Sequence, residues 1–150
     1  MRICVSMDSD SKVFVAGHNG LVGSAIVRHL EKNHYKNIYW VRKENCDLTD
    51  KIKVDSYFQQ AKPEYVFLAA AKVGGIGGNS KYPANYIYDN LMIQTNVIDA
   101  AYRNGVKKLV FLGSSCIYPK FAKQPITEDQ FMTVNLRVVM MLMRLLDSRY

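Results

Sequence analysis

The sequence predicts an α/β fold built on a doubly wound parallel sheet, and three observations carry that prediction. Four short runs, at 12–16, 38–41, 65–71 and 108–112, are largely apolar and rich in β-branched and aromatic residues, as strands buried on both faces are. Stretches with apolar residues at helical spacing separate them, so strands alternate with helical crossovers. Three of the four runs end in small residues, at Gly17, at Ala69-Ala70-Ala71 and at Gly113-Ser114. Small residues suit the carboxyl edge of such a sheet, where ligands sit.

The 150 residues are 49% hydrophobic and 22% charged, which suits one globular domain with a core and excludes a disordered chain. The formal net charge is +7, yet lysine and arginine occur in runs of at most two. That scatter argues against a nucleic-acid partner and for a general pull on anionic small molecules. Cys4, Cys46 and Cys116 are an odd number without metal spacing, so no metal site is expected and a reducing compartment fits. No stretch reaches the ~18 apolar residues of a membrane span or reads as a signal peptide. The expectation is a soluble, cytoplasmic protein with no membrane partner.

In chain order, residues 1–11 read as a loose leader, and Lys12–Ala16 as the first strand. Gly17-His18-Asn19-Gly20-Leu21-Val22-Gly23 follows without a gap, and Leu21, Val22, Ala25, Ile26 and Leu30 recur at helical spacing behind it. Glycines at a strand-to-helix turn form a phosphate site: Gly17 for the tight turn, Gly20 for approach of a pyrophosphate, Gly23 for close packing of helix on strand. A merely tight turn is the plain alternative. The second strand, Ile38–Val41, ends at Arg42-Lys43-Glu44. Two cations there favour the 2′-phosphate of NADP, whereas Glu44 leaves NAD open, and a solvated basic turn is the plain alternative. Asp47 is placed to accept from an adenine amino group, or else Asp47 or Asp50 caps a helix over 51–62.

Pro63-Glu64 breaks that helix and leads into Tyr65–Ala71, a third strand whose alanines would let a cofactor lie against the backbone. The glycine-dense segment Lys72 to Asn79 reads as a loop facing substrate or nicotinamide rather than a plain linker. From Pro83 to Asn104, Tyr86, Leu91, Ile93, Val97, Ile98 and Ala101 predict a long helix stopped by Asn104-Gly105. The fourth strand, Lys108–Leu112, delivers Gly113-Ser114-Ser115-Cys116-Ile117-Tyr118-Pro119-Lys120. Two hydroxyls and a thiol in three residues can donate hydrogen bonds and move protons. The whole is a Rossmann-like doubly wound sheet truncated after about its fourth strand, over 12–130.

AGHNGLVGSAI at 16–26, LAAAKVGGI at 68–76, YPANYIYDNLMIQTN at 82–96 and GSSCIYPKFAKQPITE at 113–128 resemble the extended short-chain dehydrogenase/reductase family. Within it they resemble the branch that epimerises and reduces GDP-4-keto-6-deoxy-D-mannose to GDP-L-fucose. The resemblance implies NADP(H) bound by Gly17, Asn19, Gly20, Leu21, Val22, Gly23, Arg42, Lys43, Asp47, Leu48, Ala69, Ala70 and Ala71. It implies Ser114 hydrogen-bonded to the sugar C4 carbonyl and Cys116 as one acid/base group at C3 and C5. Lys72, Val73, Gly74 and Gly75 would form the substrate loop, the GDP-sugar being the partner, and the family implies a homodimer.

The family also uses a YxxxK tyrosine and lysine and a later histidine, and a carboxyl-terminal substrate domain, none of which is found in these 150 residues. The expectation is therefore an enzyme-family domain inactive alone. A catalytically silent nucleotide-binding module and an unstable truncated product stand as alternatives. Residues 131–150 depart from the family as an apolar tail. It reads either as a helix on the sheet or as a shifted reading frame, in which Met140-Met141 would encode Asp followed by Ala or Val.

Overall fold

Alternation along the first strand explains why its sequence is apolar at every position after Lys12. In β1 (Lys12–Ala16), Phe14 and Ala16 face one core cluster and Val13 and Val15 the other, and all four are fully buried. The structure is a computed structural model that describes residues 7–74, 81–113, 118 and 123–130. It divides into two units: the first runs to Ala71 and resumes over Asn90–Leu112, and the second holds Lys72–Asp89 and the chain from Gly113.

In the first unit, β1 pairs in parallel with β2 (Asn37–Tyr39) and β3 (Tyr65–Leu68), and β3 pairs with β4 (Lys108–Phe111). The strand order is β2-β1-β3-β4, so the topology reverses between β1 and β3. The helix α1 (Leu21–Lys32) packs on one face through Leu30, Ile26 and Val27. On the other face, Val54 and Phe58 of α2 (Lys51–Ala61) meet Val97, Ala100 and Ala101 of α3 (Pro83–Arg103), over Phe14, Val66 and Leu68. Phe14 meets Phe58 edge-on at 5.6 Å between ring centres. The predicted doubly wound α/β class is the observed one.

Boundaries differ where tertiary contacts replace sheet pairing. The strand expected over 38–41 is Asn37–Tyr39, because Tyr39 is the last residue paired with β1 and the Trp40 ring then turns onto His18. The third strand stops at Leu68 rather than Ala71, with Ala69 N still donating to Ala16 O at 3.0 Å. The helix expected to Lys62 ends at Ala61, since Lys62 turns left-handed at φ 45° ahead of Pro63. Asp50, rather than Asp47, caps α2 by accepting from Ile52 N and Lys53 N. Asn104-Gly105 stops α3 as expected: Gly105 has φ 69°, and Val106 N donates back to Ala101 O at 3.0 Å. The apolar stripe predicted for α1 begins later than expected, because Leu21 is 89% exposed and Val22 half-exposed.

Within the expected leader, Lys36 N donates to Ser9 O, Asn37 Nδ2 to Asp10 O and Tyr35 Oη to Met7 O. At the amino edge of the sheet, Glu64 accepts from Lys12 N at 2.9 Å and pairs with Lys107 at 2.5 Å. In the second unit, Lys72 pairs with Asp89 at 2.5 Å beside the Tyr86 ring, and a short 3₁₀ helix covers Glu128–Gln130. Among the described residues no helix is long and apolar enough to cross a membrane, and no group of residues could hold a metal ion. The 131–150 tail lies outside the described residues.

Candidate dinucleotide-binding site

Three glycines shape the turn between β1 and α1, each for a different reason. Gly17 has φ 86°, and a Cβ there would lie 2.7 Å from Ala70 N and 2.8 Å from Ala69 O. Only glycine permits that conformation and that approach of the β1 and β3 chain ends. A Cβ on Gly23 would lie 2.0 Å from Gly17 O, so the helix rests directly on the turn. On Gly20 it would meet only Gly17 O, at an ordinary 3.4 Å. The protein's own packing thus demands glycine at 17 and 23 and not at 20.

Gly20 is also the N-cap of α1, makes no side-chain cap, and precedes a first turn without acidic residues. The first N–H groups of an α-helix have no partner inside the helix, and the helix dipole places positive potential on them. Asn19, Leu21 and Val22 around this end are exposed. The turn therefore presents donors and positive potential at the point where the strand order reverses.

Beside it, the His18 and Trp40 rings stack at 5.6 Å and 29°. Partial burial, then the nearby Arg42 charge, push the His18 pKa down. Among the described residues Arg42 makes no ion pair, whereas Lys43 pairs with Asp47 at 3.6 Å. Asp47 Oδ1 accepts from Thr49 N at 3.0 Å and from Thr49 Oγ1 at 2.8 Å. Burial pushes the Asp47 pKa up, but the Thr49 hydrogen bonds and the Lys43 charge outweigh it and the net shift is downward. Leu48 packs half-buried against the core. Cys46 is buried, and burial and the charges of Asp47 and Asp50 push its thiol pKa up, as befits an inert core thiol.

From β3, Ala69 and Ala70 reach the turn half-buried and Ala71 is exposed. In the second unit Lys72, Val73 and Gly74 are exposed, and a Cβ on Gly74 would lie 2.0 Å from the Tyr86 hydroxyl. Gly75, Ser114 and Cys116 lie outside the described residues. A cavity of about 700 Å³ opens elsewhere, against α1, lined by Met7, Ile26, Leu30, Tyr35 and Phe67 among others. Val22 is the one predicted site residue in its lining.

Two features at this edge escaped the sequence reading. The His18 stack on Trp40 joins residues 22 apart and carries no local signal. Asn96, 4% exposed on the buried side of α3, donates from Nδ2 to Leu48 O and to Thr49 O, each at 3.0 Å. A polar residue directly before Val97, in a helix whose buried residues are Asn90, Asn96 and three apolar ones, was the available clue.

Comparison with known proteins agrees with this architecture. The chain is 59% identical over 129 residues to GDP-L-fucose synthase 1 of Arabidopsis thaliana, covering 86% of this chain and 40% of that protein. It is 49% identical over 124 residues to GDP-L-fucose synthase of Escherichia coli, covering 83% and 39%. The chain thus spans about two-fifths of the length of these relatives. MlghC, a GDP-mannoheptose C4 reductase from Campylobacter jejuni solved with NADP bound, superposes with TM-score 0.83 at 39% identity, over 93% of this chain and 44% of that one. Residues 13–137 match the NAD dependent epimerase/dehydratase family, and with the parallel sheet and glycine turn in place the chain belongs to that family.

Proposed function

We propose that this chain is the NADP(H)-binding portion of a GDP-L-fucose synthase. The observation that carries the reading is Gly20, a helix start without a side-chain cap, where among the described residues an added Cβ would meet only Gly17 O at an ordinary 3.4 Å. A pyrophosphate needs that clearance and those N–H groups. Gly17, Gly20 and Gly23, with the backbone of Asn19, Leu21 and Val22, hold it. Arg42, which makes no ion pair among the described residues, meets the 2′-phosphate, and Lys43 adds charge while held to Asp47. Asp47 and Leu48 border the adenine, and Ala69, Ala70 and Ala71 give the cofactor a flat backbone to lie on.

When bound, the cofactor supplies the hydride that reduces C4 of the sugar. Ser114 donates a hydrogen bond to the C4 carbonyl oxygen of GDP-4-keto-6-deoxy-D-mannose. Cys116 is one of the two acid/base groups that exchange protons at C3 and C5, a task that needs groups whose pKa lies near the working pH, as a thiol's does. Lys72, Val73, Gly74 and Gly75 form the loop beside the GDP-sugar. The names of the Arabidopsis and Escherichia coli relatives support this substrate. The tyrosine, lysine and histidine partners are not among these residues, so the 150 residues alone bind without turning over; a cytoplasmic location and a dimer belong to the same reading.

Trp40 is the sole tryptophan and stacks on His18 of the glycine turn, so its fluorescence reports on the site. Titration with NADPH is expected to change Trp40 emission saturably, and NADH to act more weakly. No change in emission and no rise in melting temperature with either nucleotide, up to about 1 mM, overturns the reading.

A further inference from the structure

We infer that Asn96 is a positioning residue for adenine recognition, acting from the middle of α3 on the loop that carries Asp47. The inference rests on the dinucleotide reading above and adds to it a residue that never touches the ligand.

The loop between β2 and α2 lacks strand or helix pairing of its own, so its shape depends on individual hydrogen bonds. Asn45 N and Cys46 N both donate to Arg42 O at 3.0 Å, which closes its first turn. Asp47 bonds Thr49 through both N and Oγ1, and Asp50 N donates to Asp47 O at 2.9 Å. These bonds are all local and fix only the loop's internal shape. Cys46 and Leu48 pack the loop on the core, and among the described side chains Asn96 adds hydrogen bonds from outside it, with both Nδ2 hydrogens spent on the carbonyls of Leu48 and Thr49, 48 and 47 residues away. Asn96 is itself buried, and a buried amide left without partners is costly, which favours keeping both bonds.

The geometry has a directional consequence. Leu48 and Thr49 follow Asp47 immediately, and the Asp47 carboxylate is itself bonded to Thr49, so holding the two carbonyls holds the carboxylate. A side chain anchored in the packed face beside Val97 and Ala100 sets the loop at the height of the sheet edge. Without it the local turn can persist while the carboxylate loses its place relative to the glycine turn. Discrimination of the adenine amino group would then fall while pyrophosphate binding at α1 persists.

The test compares NADPH with its deamino analogue, in which a carbonyl replaces the adenine amino group, using the 150-residue protein and its Asn96→Ala and Asn96→Ser variants. Wild type is expected to bind NADPH about tenfold more tightly, the value of one hydrogen bond to a carboxylate. Asn96→Ala is expected to bring that ratio close to one. A ratio of affinities is insensitive to the fraction folded, so a merely structural role would weaken both ligands alike and leave it unchanged, which overturns the inference. Wild type that binds both nucleotides without preference also overturns it, whereas wild type that binds neither overturns the dinucleotide reading instead. Should both variants fail to fold, amide exchange of wild type decides. Asn96 Nδ2 protons exchanging as slowly as the amides of β1 support a clamped loop, and exchange as fast as in exposed asparagines refutes it.

Discussion

The starts of α1 and α2 solve the same physical problem in opposite ways. Each helix opens with N–H groups that have no partner within the helix. At α2 the protein supplies its own acceptor, Asp50, which bonds Ile52 N and Lys53 N. At α1 it supplies none among the described residues, because Gly20 stands at the cap and has no side chain to accept. A helix end satisfied from within contributes to stability, and one left open is available to an anion. The contrast separates, beside one sheet, a helix start capped from within from one left open, which the proposed reading assigns to a ligand.

Giving α1 the cap that α2 already has is the sharpest way to break the comparison. Gly20→Asp places a carboxylate on the open N–H groups, and the space is there, since a Cβ meets only Gly17 O at 3.4 Å. The expected result is a protein at least as stable, because aspartate caps better than glycine by a few tenths of a kcal/mol. NADPH binding should weaken about a hundredfold or more, since like charges face each other. Urea melts and Trp40 titration read the two effects separately. Retained affinity in a folded variant would mean that the α1 start is not where the phosphates sit.

Much of this contrast was legible in the sequence because it rests on backbone constraints. A triplet of glycines after a buried strand has few solutions, and φ 86° at Gly17 with the contact of Gly23 on Gly17 O realises the expected one. The first strand was legible because Val13 to Ala16, buried on both faces of the sheet, leave no room for polar residues. The parts that escaped are side-chain contacts between distant segments. Nothing near Asn96 names Leu48 as its partner, and nothing near Trp40 names His18. The sequence also left Asp47 and Asp50 equal as caps. Geometry separates them, because Asp47 spends its carboxylate on Thr49 inside the preceding turn.

The converse substitution, Asp50→Ala, opens the α2 start. It is expected to lower stability by about 1 kcal/mol, the usual cost of losing such a cap. The affinity for NADPH should remain within twofold, because the anion site belongs to α1. Urea unfolding followed by circular dichroism gives the first number and the Trp40 titration the second. A large loss of affinity alongside the small loss of stability would erase the distinction between the two helix starts.

The smallest expected effect concerns pH and lies beside the open helix end. Burial, and then the Arg42 charge, depress the His18 pKa in the folded state, so the folded protein favours the neutral ring. Between the folded value and the unfolded value of about 6.5, the unfolded chain binds the proton and the folded one resists it, so stability rises with pH through that window. The His18 contribution is therefore intact above about pH 6.5 and is lost as the solution is acidified below it. His18→Phe keeps an aromatic ring against Trp40 and removes the titration, so its stability should change less between pH 7 and pH 5 than that of wild type. Melting temperatures of both proteins over that range make the comparison. Parallel curves would show that the proton does not couple to folding at this ring. A steeper fall in wild type alone would show that the folded surroundings of His18, burial first and the Arg42 charge second, oppose a proton on the ring beside the α1 start.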